Sequence, residues 1–477
     1  MRFSVYQMMK QGFDVMVYQD GANTEAKSGH TGAITQTGTD AATVIQSAID
    51  ALPARTTPAT LVIFGDYSIT ATINLPSYTH VAVIGSMTRD ASFVGAAFFS
   101  NENYANAGTW DVDIQINGGT FDGLLADGGS WFSALIFNQV RRLVVDAARI
   151  TGTRNHGVMA DECENFTISR NFIDAHGDDG ITVHDRGRHG TIEGNYCWGG
   201  RGVAGAGSCG IEVETEGAGA VANQNVNGPS DLLITGNHCW NQPLHGILVV
   251  ADTDETDDSP AHIMITNNNC YSNTTNGITV QGSSIATTER LVSNIHITNN
   301  ITHENTSWGI YINRCLGVVA TNNDIYENTE GGIYVSAAGA RLALNTITAN
   351  GGHGIRLFSD GTGSVVEGNE IFDNGQSSTG YGIRSEGVNG NTIRNNRLGD
   401  TQSTKTQYGI TLETNCANDT IYDNEFVDIR TVNSTSIFLS ASLGTGNAIS
   451  GTKVSGGGDF VTENKGRATL TSGSNTV

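Results

Sequence analysis

Proline is scarce in this chain, six residues in 477, and lysine scarcer, with five against twenty arginines. Sixty glycines beside those six prolines suit a turn-rich β architecture. Basic patches are missing. A formal charge of -23 argues against nucleic-acid binding, which needs clustered cations. No apolar run is long enough to span a bilayer, so no membrane insertion is expected. The opening residues, 1–18, lack a continuous apolar core, and no secretory signal is read there. No C-x-x-C pair occurs among the seven cysteines, which argues against a zinc site. An acidic, lysine-poor, threonine-rich surface is what a halophile uses to hold water in molar salt, and a halophilic source is expected; a GC-rich genome is the bland alternative.

What is present is one line of text written repeatedly from residue 116 to 426. Its first half is I-x-x-N-x-I, at Ile168/Asn171/Ile173, Ile192/Asn195/Cys197, Ile234/Asn237/Cys239, Ile265/Asn268/Cys270, Leu342/Asn345/Ile347, Val366/Asn369/Ile371, Ile393/Asn396/Leu398 and Ile421/Asn424/Phe426. The copy starting at Ile297 reads as one residue short. Its second half is a polar or aromatic residue followed by G-I-x-V, as in Asp179-Gly180-Ile181 and Tyr381-Gly382-Ile383. Repeat starts lie mostly 22 to 32 residues apart, with one interval of 42 from Ile192 to Ile234. A period of this size means a solenoid, and the local alternation of period 2 makes its units strands. The predicted fold is all-β, a right-handed parallel β-helix of about 12 coils stacked some 4.8 Å apart. The isoleucine column is its core. The asparagine column is a turn ladder, in which left-handed backbone and bonds to the coils on either side are expected. Cys197, Cys239 and Cys270 fill the slot of Ile or Leu and read as core.

The stretch Gly38–Leu52 reads as an amphipathic helix capped by Thr39 or Asp40 and ended by Pro53. It is placed over the open end of the first coil, where bare strand edges and apolar side chains need cover. Three segments follow: residues 1–60 as N-terminal strands and capping helix, 61–440 as the β-helix, and 441–477 as a Gly/Ser/Thr-rich β tail that caps or oligomerises. The run GTDAATVIQSAIDAL, followed by VIFGDYSITATINLP, resembles the N-terminal cap and first coil of the pectate-lyase-like superfamily. With the preceding Y-x-D-G and A-x-x-G-x-T-G, it is similar to β-helix proteins of archaea and their viruses. That resemblance implies a virion tail spike or fibre: a homotrimer that binds, and sometimes cleaves, a cell-surface glycan beside other tail proteins, located on the virion or outside the cell. A free polysaccharide lyase, hydrolase or epimerase is the alternative, and a non-catalytic β-helix spacer the third reading.

Counting from each repeat's glycine, positions +1 and +3 point inward and +2 and +4 outward. Three adjacent coils then set Asp161, Asp178, Asp179, His184, Glu212 and Glu214 on one surface as candidate catalytic residues. Coil spacing brackets the roughly 5 to 9.5 Å between the carboxyl groups of glycosidases. Crowded carboxylates also push one another's pKa values apart into an acid and a base. Gly177-Asp178-Asp179 resembles the G-D-D of the polygalacturonase family, and Gly118-Gly119-Thr120-Phe121-Asp122-Gly123 an upstream marker of it. The rest departs: Asn155-His156-Gly157 stands where that family has N-T-D, Ser208-Cys209-Gly210 where it has G-H-G, and R-I-K is absent. Only the two aspartates carry over, and D-D-G is also a plain solenoid corner. Trp308, Tyr311, Tyr334 and Arg356 are candidate substrate-binding residues, since exposed rings offer faces for pyranose stacking; a subunit interface would use them equally well. No metal ligands are assigned. Calcium, often used by lyases of this fold, stays a candidate cofactor, but the acidic loop at 252–258 lacks the glycine and glutamate of an EF-hand.

Overall fold

The computed structural model describes residues 12–52, 56–106, 108–124, 131–202, 208–215, 228–251, 259–285, 288–375, 380–400, 406–427, 435–439, 443–451, 453–455 and 459–462. The chain forms two compact units, Met1–His238 and Cys239–Val477.

In the first unit a hairpin, Val15–Asp20 antiparallel to Asn23–Ser28, starts the fold, and its first strand runs parallel to the long strand Ala59–Leu75. The helix spans Ala41–Asp50 and buries Ala41, Ala42, Val44, Ile45, Ala48 and Ile49. Asp40 is its N-cap residue without a side-chain cap bond. Its carboxylate accepts instead from the Thr43 and Thr70 hydroxyls. Gln46 ties the helix to the first coil by exchanging hydrogen bonds with the Asn74 backbone, at 2.7 and 3.2 Å. This is the expected capping arrangement. Winding then proceeds through strands longer than expected, Ala59–Leu75 and Thr79–Asn101, which pair in parallel.

Regular coils of three short strands follow. Val158–Asp161, Thr167–Ser169 and Phe172–Asp174 make one coil, and Ile181–His184, Thr191–Glu193 and Tyr196–Trp198 the next. The register is the one written in the sequence: Val158 opposite Ile181, Ile168 opposite Ile192, Ile173 opposite Cys197. All six side chains are fully buried. The second unit repeats the plan, with Ile355 opposite Ile383, Val366 opposite Ile393 and Ile371 opposite Leu398. All seven cysteines are buried, as the core slot requires.

The asparagine ladder is continuous within each unit. Asn171 Nδ2 and N both donate to Asn195 Oδ1 at 3.0 Å, and Asn195 does the same to Asn237. In the second unit the ladder climbs from Asn268 through Asn300, Asn323, Asn345, Asn369 and Asn396 to Asn424. The left-handed residues are not these asparagines but their predecessors: Arg170, Asn267, Asn299, Asn322, Leu344 and Asn395 all have φ between 53° and 58°. The copy at Ile297 is not short either. Thr302 stands opposite Cys270 in the core slot, and Asn300 keeps its place in the ladder. A further ladder, Asn273–Asn305–Asn328–Asn350–Asn374, runs along another corner of the second unit. The acidic loop at 252–258 and most of the C-terminal tail lie outside the described residues.

Candidate active site

The candidate catalytic residues all fall in the first unit, on or just before three neighbouring strands, Val158–Asp161, Ile181–His184 and Ile211–Thr215. Met159, Thr182 and Glu212 form one cross-strand row, and Asp161, His184 and Glu214 the next. Residues between the rows point inward and are wholly buried, so alternation alone sends these side chains outward. The corner before each strand adds Asn155-His156, Asp178-Asp179 and Ser208-Cys209. Coils approach so closely there that a Cβ on Gly180 would lie 2.6 Å from the Gly210 carbonyl oxygen, and one on Gly177 2.1 Å from that of Arg154. Glycine is therefore a packing requirement of the G-D-D-G corner.

Outward does not mean exposed. Asp179 and Thr182 are inaccessible to solvent, and His156 and His184 nearly so; Asp161, Asp178, Glu212 and Glu214 are half-buried. Asp179 Oδ1 accepts the Cys209 backbone N–H at 2.8 Å. Its Oδ2 lies 3.4 Å from the Thr182 hydroxyl and 3.5 Å from His156 Nδ1, and that hydroxyl is itself 2.9 Å from His156 Nδ1. With Nδ1 protonated, His156 donates to Thr182, which donates on to Asp179. Carboxyl oxygens of Asp179 and Glu212 lie within 4.8 Å of each other, and the two groups are electrostatically coupled. Burial pushes Asp179 up to about 7, and neighbouring Asp178 adds to the rise. Burial likewise drives Glu212 well above the carboxylate range, reinforced by the charge of Asp179. His184 Nε2 stands 4.0 Å from Glu214 Oε2, and its ring meets that of His156 edge to face at 5.9 Å. His176 is fully buried and held down to about 4 by desolvation, so it is neutral at physiological pH; its Nδ1 lies 2.9 Å from the Asp178 carbonyl oxygen and 3.2 Å from Ser208 Oγ.

Two carboxyls that share a proton near neutrality supply an acid and a base in one place. Their contact is closer than the spacing expected from the coil rise. Carboxyl oxygens within 4.8 Å of one another fall short of the roughly 5 Å or more kept by carboxyls that straddle a glycosidic bond. Asp161, Asp178 and Glu214 remain as the flanking carboxyls. His156, Thr182, Cys209 and His176 escaped the sequence reading. His156 alone carried a signal, standing one coil before Asp179 in the same corner column. Three overlapping groups bring ligand atoms within 4.8 Å of one another: His156, Asp178 and Asp179; Asp179, Cys209 and Glu212; His184, Glu212 and Glu214. A nitrogen- and sulfur-bearing set of this kind does not match the roughly six to eight oxygens that calcium takes.

The candidate substrate-binding residues lie in the second unit. Trp308 is 7 % exposed, its ring against Gly331, where a Cβ would come within 2.3 Å. Tyr311 and Tyr334 stack on each other at 4.7 Å and 5°, so each covers a face of the other and both turn edges outward. Arg356 lies over Phe358 and pairs with Glu386 at 2.9 Å. The reading of Trp308 as an exposed stacking ring is thereby overturned. Its cause is the glycine opposite it: Trp308 pairs with Gly331 of the next coil, and its ring lies in the space a side chain there would fill. Trp240–Tyr271–His303–Tyr326 forms a second column of the same kind, with interplanar angles of 2° to 6°.

This strand arrangement defines a right-handed parallel β-helix. The profile of the family described as right handed beta helix region matches residues 291–477, and that described as periplasmic copper-binding protein (NosD) matches residues 200–377. Among solved structures, the chain is similar to the tailspike protein of E. coli bacteriophage HK620 in complex with pentasaccharide, at 12 % identity and TM-score 0.62, covering 89 % of this chain and 79 % of that one. It is also similar to the N-terminal fragment of bacteriophage Phi29 gene product 12, at 18 % identity and TM-score 0.57, covering 90 % and 71 %. The A-module of Azotobacter vinelandii mannuronan C-5 epimerase AlgE4 matches at 16 % identity and TM-score 0.53, covering 87 % and 96 %. No curated protein matches the sequence. At these identities the likeness is one of fold.

Proposed function

We propose that this chain is a spike-type β-helix that binds a cell-surface polysaccharide along the outward face of its first unit and performs acid–base chemistry on it at Asp179 and Glu212. The observation that carries the reading is the close Asp179–Glu212 pair, Asp179 wholly buried and Glu212 half-buried, backed by His156 through Thr182 and flanked by His184. Raised carboxyls clustered with histidines at one corner are the pattern of an acid–base site. The pair holds one proton between them: the protonated carboxyl acts as the acid and the other accepts. Asp161, Asp178 and Glu214 position the sugar or complete the acid–base set, and His184 stands ready as a second base. The likeness to a bacteriophage tailspike in complex with pentasaccharide supports a glycan ligand and a virion or extracellular location; a homotrimer is the assembly we propose with it. A halophilic host goes with the charge of -23.

A second reading, lyase or epimerase in place of hydrolase, draws on the closeness of the two carboxyls. A compact acid–base pair beside a histidine suits removal of a proton from a sugar carbon and its return or replacement. The mannuronan epimerase among the fold neighbours supports it. The test is incubation with host exopolysaccharide or surface-layer glycan in high salt, following reducing ends, ultraviolet absorbance of unsaturated ends, and sugar stereochemistry by NMR. New reducing ends alone indicate hydrolysis, ultraviolet gain a lyase, and inversion without cleavage an epimerase. Each signal is expected to fall at least about 100-fold in Asp179→Asn and Glu212→Gln. Tight binding without product in wild type and variants alike would leave a recognition spike and refute the catalytic role.

A further inference from the structure

Of the tryptophans, Trp131 differs from the rest. It is 65 % exposed, and no ring, cation or hydrogen-bonding group among the described residues covers it. Trp110 lies under the Arg141 guanidinium, Trp240 stacks on Tyr271, Trp308 is buried, and Trp198 is 40 % exposed. Trp131 is also firmly mounted. The next residue, Phe132, is buried against Phe93 and Phe98 at ring distances of 5.1 and 5.0 Å, with the Arg89 guanidinium over its face at 5.1 Å.

The hydrogen bonds of the coil corners place this ring. The Arg154 and Asn155 N–H groups donate to the Phe132 carbonyl at 3.0 and 2.9 Å, and those of Gly177 and Asp178 donate to the Asn155 carbonyl at 3.2 and 3.3 Å. Trp131-Phe132, Arg154-Asn155 and Gly177-Asp178 are therefore equivalent positions on three successive coils. Trp131 stands two coils, about 9.6 Å along the axis, from the coil that carries Asp178 and Asp179.

Arg154, on the intervening coil, is unusual in its own way. Arg141, Arg149, Arg170, Arg186 and Arg188 of the same unit each hold a carboxylate. Arg154 is half-buried and has no ion pair or side-chain hydrogen bond among the described residues. Among the described residues Arg201 of this unit also shows no ion pair, but Arg154 stands one coil from Trp131, where its guanidinium is available to an anion brought from outside.

We propose that Trp131 and Arg154 form a subsite for an acidic sugar, a pyranose that bears a carboxylate, two coils upstream of the Asp179–Glu212 pair. The inference rests on the polysaccharide reading above and names its substrate class. The Trp131 face stacks on the sugar ring, and the Arg154 guanidinium takes the carboxylate through paired N–H donors. A glycan lying along the axis then extends from this subsite to the acid pair.

The test measures binding of mannuronate, guluronate and galacturonate oligomers, each beside its carboxyl-reduced neutral form, to the full chain, with intrinsic fluorescence as a second signal. Wild type is expected to bind at least one acid form about tenfold more tightly than its reduced counterpart, with tryptophan quenching. Arg154→Gln is expected to abolish that preference and leave the reduced form's affinity unchanged. Trp131→Ala is expected to weaken both forms about tenfold and lose the quenching, while Trp131→Phe retains most of the affinity. Unchanged thermal midpoints establish that the variants fold. The inference is overturned if wild type shows no acid preference for any of the three, if Arg154→Gln keeps the preference, or if Trp131→Ala binds as wild type does. These outcomes are separate from product formation: binding with the predicted variant effects but no product would sink the catalytic role and keep the subsite, and product unaffected by either variant would do the reverse.

Discussion

At the scale of single residues, Asp179 holds more of the argument than any other side chain. Its carboxyl is buried, bonded to the Cys209 N–H and coupled to Glu212, and burial lifts it to about 7 from an unfolded value near 4. A carboxyl with a raised pKa holds its proton in the folded state over a range where the unfolded chain has released it. Its contribution to stability is thus fully present below about pH 4 and is lost as pH rises toward 7. Urea unfolding between about pH 4 and 8 is expected to show this decline, and Asp179→Asn to flatten it while abolishing product. A variant whose stability keeps the wild-type pH profile would move the titration to another group. A site that costs stability at the pH where it works is the usual mark of function.

At the scale of the coil corner, the ladders carry the fold and contain one misfit. Ser364, Asn391, Asp419 and Asn447 form a ladder in which each backbone N–H meets the next side-chain oxygen, at 2.8, 2.7 and 2.8 Å. Asp419 occupies an asparagine place, and burial raises its carboxyl to about 6. Asp419→Asn is expected to stabilise the chain by about 2 kcal/mol near pH 8, an advantage that shrinks toward zero near pH 4, as read by chemical denaturation. Much of this scale was legible beforehand. The isoleucine slots, the asparagine column and the inward and outward alternation follow from periods of 2 and of one coil, which the sequence displays. What was not legible depends on contacts across coils. Ring stacking of Tyr311 on Tyr334 requires the register to be exact in space. The left-handed residue before each asparagine is invisible because Arg170 and Leu344 accept that backbone as Asn267 does. Thr302 hid in the core slot because Ile301, one residue earlier, looked like the better candidate. Asp178, Asp179, Glu212 and Glu214 were found by position, but His156, Thr182 and Cys209 enter the site through bonds that no spacing rule encodes.

At the scale of the whole molecule, charge and assembly govern behaviour. A net charge of -23 repels itself at low ionic strength. The thermal midpoint is expected to climb as sodium chloride rises from about 0.1 M, where the Debye length is near 10 Å, to molar concentration. A flat or falling midpoint would argue against a halophilic origin. Mass in solution separates the roles: a stable trimer fits the spike, and a monomer fits a free enzyme.

The ladders also set a rule for length. In the second unit Asn323 and Asn345 are 22 residues apart and occupy the same rung position, and each meets only the rungs beside it. Removing residues 323–344 would join Asn322 to Asn345 and re-form the two asparagine ladders that pass through this stretch, each one rung shorter. A cut there that is not a whole number of coils would throw isoleucines out of the core and asparagines off the corner. Such a chain grows and shrinks by whole turns, so its descent is written in units of one coil, and the wide interval between Ile192 and Ile234 marks where material was added without breaking the count.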